Sequence, residues 1–126
     1  MTEGEPYTKE SNLPWPVARF LKAVNGGART DLAASFADDA VVVDVDRELR
    51  GLDAITAWAN ADIFGPRVRF EVLDVAERAG RTRVTVGIDG TFDRTGLPNP
   101  LVMTHEFTVA EGKITTLRIG FSRTRS

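Results

Sequence analysis

The sequence contains no cysteine, and this absence removes several classes of site at once. Disulfides, thiolate nucleophiles, iron–sulfur clusters and cysteine-based zinc sites are all excluded. Histidine occurs once, at His105, which rules out zinc sites built from three histidines or from the His-Glu-x-x-His motif. Glycine-rich phosphate loops, the Gly-x-Ser-x-Gly motif and calcium-loop patterns do not occur either. We therefore expect neither a cofactor nor a metal.

Neither charge nor hydrophobicity is concentrated in one part of the 126 residues. The 16 Lys and Arg are outnumbered by 18 Asp and Glu, so no basic excess favours nucleic acid. No apolar run approaches the ~20 residues that span a bilayer, and residues 1–12 lack the layout of a signal peptide. We expect one cytoplasmic domain over residues 13–122, with short tails at 1–12 and 123–126, that binds neither nucleic acid nor a membrane.

Hydrophobic periodicity predicts helices in the first half of the chain and strands in the second. A helix is predicted from Pro16, and two more over residues 30–37 and 52–64. A first strand is predicted at 40–45, followed by a polar link at 46–51. The later predicted strands cover residues 67–76, 81–92, 101–110 and 114–121. This order predicts an α+β fold, with three helices packed on a curved, mostly antiparallel sheet.

Two polar residues interrupt the apolar patterns of the predicted strands, and the first is Asp44. It follows three valines and shares a strand face with Ala40 and Val42, and both faces of this strand are apolar. A carboxyl group in such surroundings tends to have a raised pKa, in the range that suits proton transfer. The alternative is that Asp44 lies solvated at the strand end and pairs with Arg47 or Arg50.

The second polar residue is His105, on the apolar face formed by alternate residues from Leu101 to Val109. An imidazole there can donate a hydrogen bond into a cavity or change its charge near neutral pH. The alternative is a core histidine whose hydrogen bonds are satisfied. Large apolar side chains that can either line a ligand cavity or form ordinary core are Trp15, Phe20, Phe36, Trp58, Phe64 and Met103.

Three segments resemble the nuclear transport factor 2-like superfamily, in particular its SnoaL-like polyketide cyclases and ketosteroid isomerases. They are residues 36–44 (FADDAVVVD), 50–55 (RGLDAI) and 111–114 (EGKI), within a resemblance that covers about residues 13–121. The resemblance implies a cystatin-like cone. It also implies that Asp44 occupies the position of the isomerases' general base. In their oxyanion hole, Phe20 then corresponds to a tyrosine and His105 to an aspartic acid.

The resemblance and the two polar residues favour cofactor-free acid/base chemistry, of isomerase or cyclase type, on a small hydrophobic carbonyl compound. In this hypothesis Asp44 is the base, and His105 donates a hydrogen bond to the developing enolate oxygen. Because Phe20 has no hydroxyl group, ketosteroid isomerisation itself is not expected. Two alternatives remain open: a cavity that binds a small hydrophobic molecule without chemistry, and an interaction domain whose interior is filled by its own side chains.

The resemblance also implies an oligomeric state, because proteins of this superfamily commonly dimerise through the outer face of the sheet. Polar and apolar residues alternate along the predicted strands, which is typical of a sheet with one buried and one polar face. We therefore expect a homodimer through a polar outer face that consists of Thr82, Arg83, Thr85, Thr104, Thr108, Thr116 and Arg118.

Overall fold

Residues 13–122 are described by a computed structural model, in which three helices pack against a six-stranded sheet. The helices are α1 (Trp15–Gly26), α2 (Arg29–Ala34) and α3 (Leu52–Ala59), and α3 continues into a π-helical turn (Asn60–Phe64). The strands are β1 (Phe36–Asp44), β2 (Arg47–Arg50), β3 (Arg69–Arg78), β4 (Arg81–Asp89), β5 (Val102–Ala110) and β6 (Lys113–Phe121). The predicted α+β fold is confirmed, while the predicted tails lie outside the described residues.

The sheet is mixed, with the strand order β2-β1-β6-β5-β4-β3. Strands β3 to β6 form an antiparallel meander, in which each strand pairs with the next one along the chain. Tight turns join β3 to β4 and β5 to β6, and a longer loop joins β4 to β5. The parallel pair is β1 with β6, and β2 pairs antiparallel with β1 at the edge. The sheet is therefore mostly antiparallel, as predicted, and residues from both halves of the chain meet at its centre.

Helix α1 follows its sequence pattern closely. Pro16 lies in its first turn, where the missing N–H is not needed. The helix ends at Gly27, whose φ of 68° is a left-handed conformation that glycine adopts without strain. The apolar side chains of this helix, from Val17 to Val24, are buried against the sheet. The helix thus covers one end of the inner face of the sheet.

The structure corrects two predicted boundaries around β1. Phe36 begins β1 instead of ending a helix, because the second helix stops at Ala34 and the Ser35 carbonyl accepts a hydrogen bond from Ile114 N–H at 2.8 Å. The predicted polar link at 46–51 contains the short strand β2. Its side chains are mostly exposed, as is typical of an edge strand, so no apolar alternation marked it in the sequence.

The faces of the sheet follow strand alternation, and one predicted outer-face residue lies inside. Thr82 is buried, pairs in register with Phe107, and its Oγ1 donates a hydrogen bond to Glu77 Oε2 at 2.6 Å. Its assignment to the outer face is wrong, because it shares a face with Val84 and Val86. The other six residues of the predicted polar outer face do lie on one face of the sheet.

Candidate functional site

Asp44 and His105 lie in one row across three neighbouring strands. Asp44 pairs in register with Ile119 on β6, and Ile119 pairs with His105 on β5. Partners in register project to the same face, and neighbouring strands lie ~4.8 Å apart, so the two backbones are roughly 10 Å apart. Both side chains therefore line the same cavity from one face of the sheet, with Ile119 between them.

The Asp44 carboxylate is largely shielded from solvent, with 21% of its side chain exposed. Its Oδ2 accepts a hydrogen bond from Trp58 Nε1 at 2.9 Å and another from Arg47 Nη2 at 3.2 Å. Asp44 thus lines the cavity and also pairs with Arg47, which combines the two environments considered from the sequence. Arg50 pairs with Glu48 instead, because both project from the other face of β2.

His105 is almost completely buried, with 2% of its surface exposed. The rings of Phe20, Phe70 and Phe107 surround it, at centroid distances of 6.5, 5.0 and 6.3 Å. Burial removes the hydration that a charged imidazole needs and lowers the pKa of His105 to about 4, although the negative charge of Asp44 acts in the opposite direction. His105 is therefore neutral at pH 7, so of the two possibilities considered from the sequence, donation of a hydrogen bond fits this environment and a charge change near neutral pH does not.

The hydrogen bonds of His105 also differ from those of an ordinary core histidine. Its Nδ1 is buried and has no hydrogen-bond partner among residues 13–122. Buried polar atoms are nearly always paired, since an unpaired one costs about 1–3 kcal/mol. His105 therefore carries an unpaired ring nitrogen next to the cavity that the residue lines.

A cavity of about 470 Å³ lies between the inner face of the sheet and the end of α3. This volume is within the range of small-molecule sites. Apart from Asp44, Asp62 and His105, the lining is apolar. Its other members are Val45, Trp58, Ala61, Ile63, Pro66, Val68, Phe70, Ile88, Phe92, Leu97, Leu101, Met103, Ile119 and Phe121.

Only two of the six large apolar residues proposed from the sequence, Trp58 and Met103, line this cavity. Phe20 and Phe36 instead pack edge-on against each other in the core, with ring centroids 5.8 Å apart. Trp15 is 67% exposed on α1, beneath the guanidinium of Arg19. The assignment of these three residues and of Phe64 to the lining is corrected, because periodicity fixes which face a residue occupies and not its height along the cone.

Phe64 and its neighbours show what the sequence reasoning missed. Phe64 ends the π-helical turn and packs under the guanidinium of Arg29, away from the cavity. The wider π turn directs the consecutive residues Ala61, Asp62 and Ile63 into the lining. An ordinary α-helix spreads three consecutive residues over different faces, so helical periodicity could not identify Asp62 as a cavity residue.

Two further observations on residues 13–122 concern metal binding and membrane spanning. They contain no group of three or more His, Cys, Asp or Glu side chains arranged to hold a metal ion. In the same part of the chain, no helix is both long and apolar enough to cross a membrane.

The geometry of the cavity suits the transfer of a proton within an apolar environment. A carboxylate can accept a proton, and a neutral imidazole can donate a hydrogen bond from its N–H group. Because most of the lining is apolar, electrostatic interactions at the cavity wall are stronger than in bulk water. The two groups are far enough apart to act on different atoms of one molecule.

Several solved structures share this fold. A candidate polyketide cyclase from Sinorhizobium meliloti is 28% identical, with a TM-score of 0.77 over 86% of this chain and 96% of its own. The Δ5-3-ketosteroid isomerase from Mycobacterium sp. is 23% identical, with a TM-score of 0.67 over 85% of this chain and 90% of its own. SalBIII, an epoxide hydrolase/cyclase-like enzyme in pyran ring formation of salinomycin, is 21% identical, with a TM-score of 0.70 over 85% of this chain and 88% of its own.

The sequence itself identifies the family. No curated protein matches the chain significantly. The model of the SnoaL-like domain, however, matches residues 17–117, a range that includes both Asp44 and His105. The chain therefore belongs to the SnoaL-like domain family.

Proposed function

We propose that this protein catalyses proton transfer on a small hydrophobic carbonyl compound, without a cofactor, in a reaction of isomerase or cyclase type. The observation that carries the proposal is the cross-strand row Asp44–Ile119–His105, whose two polar members face one apolar cavity. The likeness to a candidate polyketide cyclase at 28% identity supports this class of chemistry.

Asp44 acts as the base in this proposal. Its carboxylate takes a proton from the carbon next to the carbonyl group, and the electrons of the broken C–H bond move onto the carbonyl oxygen. His105 donates an N–H hydrogen bond to that oxygen and stabilises the enolate. In an isomerisation, Asp44 then returns the proton to a different carbon. In a cyclisation, the enolate carbon attacks a second carbonyl of the same molecule, and the new alkoxide takes the proton from Asp44.

The environment of each group supports its role. The pKa of about 4 keeps His105 neutral, so that it acts as a hydrogen-bond donor and does not protonate Asp44. The indole N–H of Trp58 holds the carboxylate at the cavity wall. The lining is rich in aromatic side chains and offers few other polar groups, so it fits a compact hydrophobic molecule better than a highly polar one.

Exchange of α-hydrogen for deuterium tests this proposal without knowledge of the natural substrate. Cyclohexanone and 2-decalone are incubated with the protein in D2O, and the loss of their α-proton signals is followed by NMR. We expect exchange faster than in buffer, reduced on the order of 100-fold in Asp44→Asn, because the base is lost. Asp46→Asn is the matched control, since Asp46 does not line the cavity.

His105→Phe tests the second group and preserves the approximate volume of the side chain. Loss of the donor is expected to lower exchange on the order of 100-fold, with little change in ketone affinity. Exchange no faster than in buffer for both ketones would contradict the proposal, as would wild-type exchange by Asp44→Asn.

A second candidate function, small-molecule binding without chemistry, is favoured by Phe20. This residue is fully buried against Phe36 and Phe107 and supplies no second donor for a developing oxyanion. Binding of 2-decalone, followed by the fluorescence of Trp58 in a Trp15→Phe background, distinguishes the two functions. A binding protein keeps its affinity in Asp44→Asn and shows no exchange in the wild type.

We also propose that the protein forms a homodimer through the outer face of the sheet. Arg83, Glu106 and Arg118 form a charged row there, and Arg83 Nη2 lies 3.6 Å from Glu106 Oε2. Glu106→Lys would put three cations in this row and should give a monomer in light scattering at micromolar concentration. Asp53→Lys, at an exposed position of helix α3, is the control, and a monomeric wild type would contradict the proposal.

A further inference from the structure

Arg47 lies next to Asp44 because of the hairpin that joins β1 to β2. The two-residue turn formed by Val45 and Asp46 pairs Asp44 in register with Arg47. Residues paired in this way project to the same face of the sheet. The hairpin therefore brings a guanidinium group to the carboxylate that lines the cavity.

The two hydrogen bonds to Asp44 restrain its carboxylate in one orientation. Trp58 Nε1 and Arg47 Nη2 both donate to Oδ2, at 2.9 and 3.2 Å. The other oxygen, Oδ1, accepts no hydrogen bond from any side chain or backbone group in the described part of the chain. One oxygen is thus held by two donors from different elements, while the second is free to accept a proton.

Asp62 holds Arg47 in turn. The same Nη2 atom of Arg47 donates to Asp62 Oδ2, on the π-helical turn that lines the cavity. These hydrogen bonds, first that of Asp62 and then that of Asp44, raise the pKa of Arg47, so its charge is maintained at any pH at which the protein functions. Because half of the Arg47 side chain is exposed, it would move freely in solvent without these partners.

The turn itself is strained, which indicates that its conformation is held by its surroundings. Val45 has a φ of 60°, a left-handed conformation that β-branched residues rarely adopt. Its N–H donates to the Ile119 carbonyl at 2.9 Å, which ties the turn to β6 in the middle of the Asp44–Ile119–His105 row. Such strain persists only where other contacts fix the backbone, and it is concentrated at functional sites.

We propose that Arg47 is a positioning residue that, anchored by Asp62, fixes the Asp44 carboxylate with Oδ2 bound and Oδ1 presented to the cavity. This inference rests on the proposed function, in which Asp44 accepts a proton. Arg47 touches the base and not the substrate, since it is not part of the cavity lining. Its effect is therefore expected on the rate of proton transfer and not on ketone binding.

Exchange of 2-decalone in D2O measures this effect. In Arg47→Gln we expect a maximal exchange rate lower by about tenfold, with KM unchanged within about twofold, because the base is misplaced while the cavity is intact. Arg47→Lys should recover part of the rate, and Asp62→Asn should lose part of it.

Arg50→Gln is the matched control, because Arg50 lies on the same strand and pairs with Glu48 on the other face. It should leave the maximal rate and KM unchanged. A wild-type maximal rate in Arg47→Gln would overturn the inference, as would an equal loss in Arg50→Gln.

The indole N–H resonance of Trp58, identified by its loss in Trp58→Phe, gives a readout that needs no substrate. In ¹H–¹⁵N spectra of the ligand-free protein, this resonance should move in Arg47→Gln and Asp62→Asn and stay in place in Arg50→Gln. If the wild type shows no exchange and the resonance moves as expected, the proposed function fails and the positioning by Arg47 stands. If the resonance and the rates are unaffected in Arg47→Gln, the positioning fails, whether or not the wild type is active.

Discussion

One end of the inner sheet face is filled, and the other end is hollow. At the filled end, Phe20 of α1 packs edge-on against Phe36 and Phe107, with centroid distances of 5.8 and 5.4 Å. At the hollow end, Asp44 and Met103 border the 470 Å³ cavity. The same strands, β1 and β5, contribute to both ends. The sheet alone therefore does not decide where space remains.

The elements opposite the sheet account for the difference. Helix α1 contributes a phenylalanine to the filled end, whereas the π-helical turn contributes Ala61, Asp62 and Ile63 to the hollow end. The strands are shared by both ends, so the difference lies in the elements that face them. His105 lies at the boundary, because it contacts the rings of Phe20 and Phe107 and also lines the cavity.

The largest expected effect comes from truncating one residue at each end of β5. Phe107→Ala should lower the free energy of unfolding by about 3–5 kcal/mol, because a completely buried ring is replaced by a void. Met103→Ala, at the wall of an existing cavity, should cost about 2 kcal/mol, the low end for such a truncation. Urea denaturation of both variants measures the difference, and equal losses would show that the two ends are packed alike.

The buried imidazole of His105, at the boundary between the two ends, should make the free energy of unfolding depend on pH. Its pKa is lowered from 6.5 to about 4 by burial, so between these values the unfolded chain binds a proton that the folded chain does not. This contribution to stability is present above pH 6.5 and is lost as the pH falls towards 4, by about 3 kcal/mol in total. Urea denaturation at pH 7 and pH 4.5 compares the wild type with His105→Phe.

The variant His105→Phe controls for the pH dependence that comes from all other titrating groups. His105→Phe should lose less stability on acidification than the wild type, since both proteins share every remaining carboxyl group. Parallel losses in the two proteins would mean that the imidazole is hydrated, and the division of the inner face into a dry filled end and a hollow end would need revision.

A smaller effect on stability is expected from substitution of Gly65, the residue that caps the end of the π-helical turn. Its N–H donates to the Asn60 carbonyl at 2.9 Å, and a Cβ at this position would lie 3.1 Å from the Asn60 oxygen and 3.2 Å from that of Ala61. Gly65→Ala should therefore cost roughly 1 kcal/mol and displace the turn that borders the hollow end. Thermal denaturation and Trp58 fluorescence in a Trp15→Phe background measure the two effects.

Gly26→Ala sharpens this test, because a Cβ at Gly26 meets no atom within 4 Å. Alanine there should be neutral or stabilise α1 by up to about 1 kcal/mol, since glycine is a poor helix former. If Gly65→Ala is equally harmless, the π turn has more room than its geometry indicates.

Much of the fold could be predicted because periodicity is a local property of the sequence. The alternation of Ala40, Val42 and Asp44 correctly indicated that the three residues share a face, and the meander followed from its turns. Strand β2 was missed because its exposed, charged residues bury almost nothing. The parallel pairing of β1 with β6 depends on contacts between distant segments, which no local pattern specifies.

The candidate site was only partly predictable for the same reason. Asp44 and His105 stood out because each interrupts an apolar pattern. Arg47 was considered only as one of two possible partners of Asp44, and Asp62 did not stand out, since a charged residue on a helix is unremarkable until the tertiary structure joins it to Arg47. Phe20 and Phe70 are the same residue type, yet only Phe70 lines the cavity, because their heights along the cone differ.

The parallel pairing of β1 with β6 has a consequence for biosynthesis. During translation, Asp44 leaves the ribosome long before Ile119, the residue beside which it finally lies. Until the last strand emerges, β1 has only the short strand β2 as a partner in the sheet, and its valine-rich edge is open to other chains. Strand β1 is thus vulnerable to aggregation until β6 has emerged, and Asp44 and His105 come together only when β6 joins their two strands.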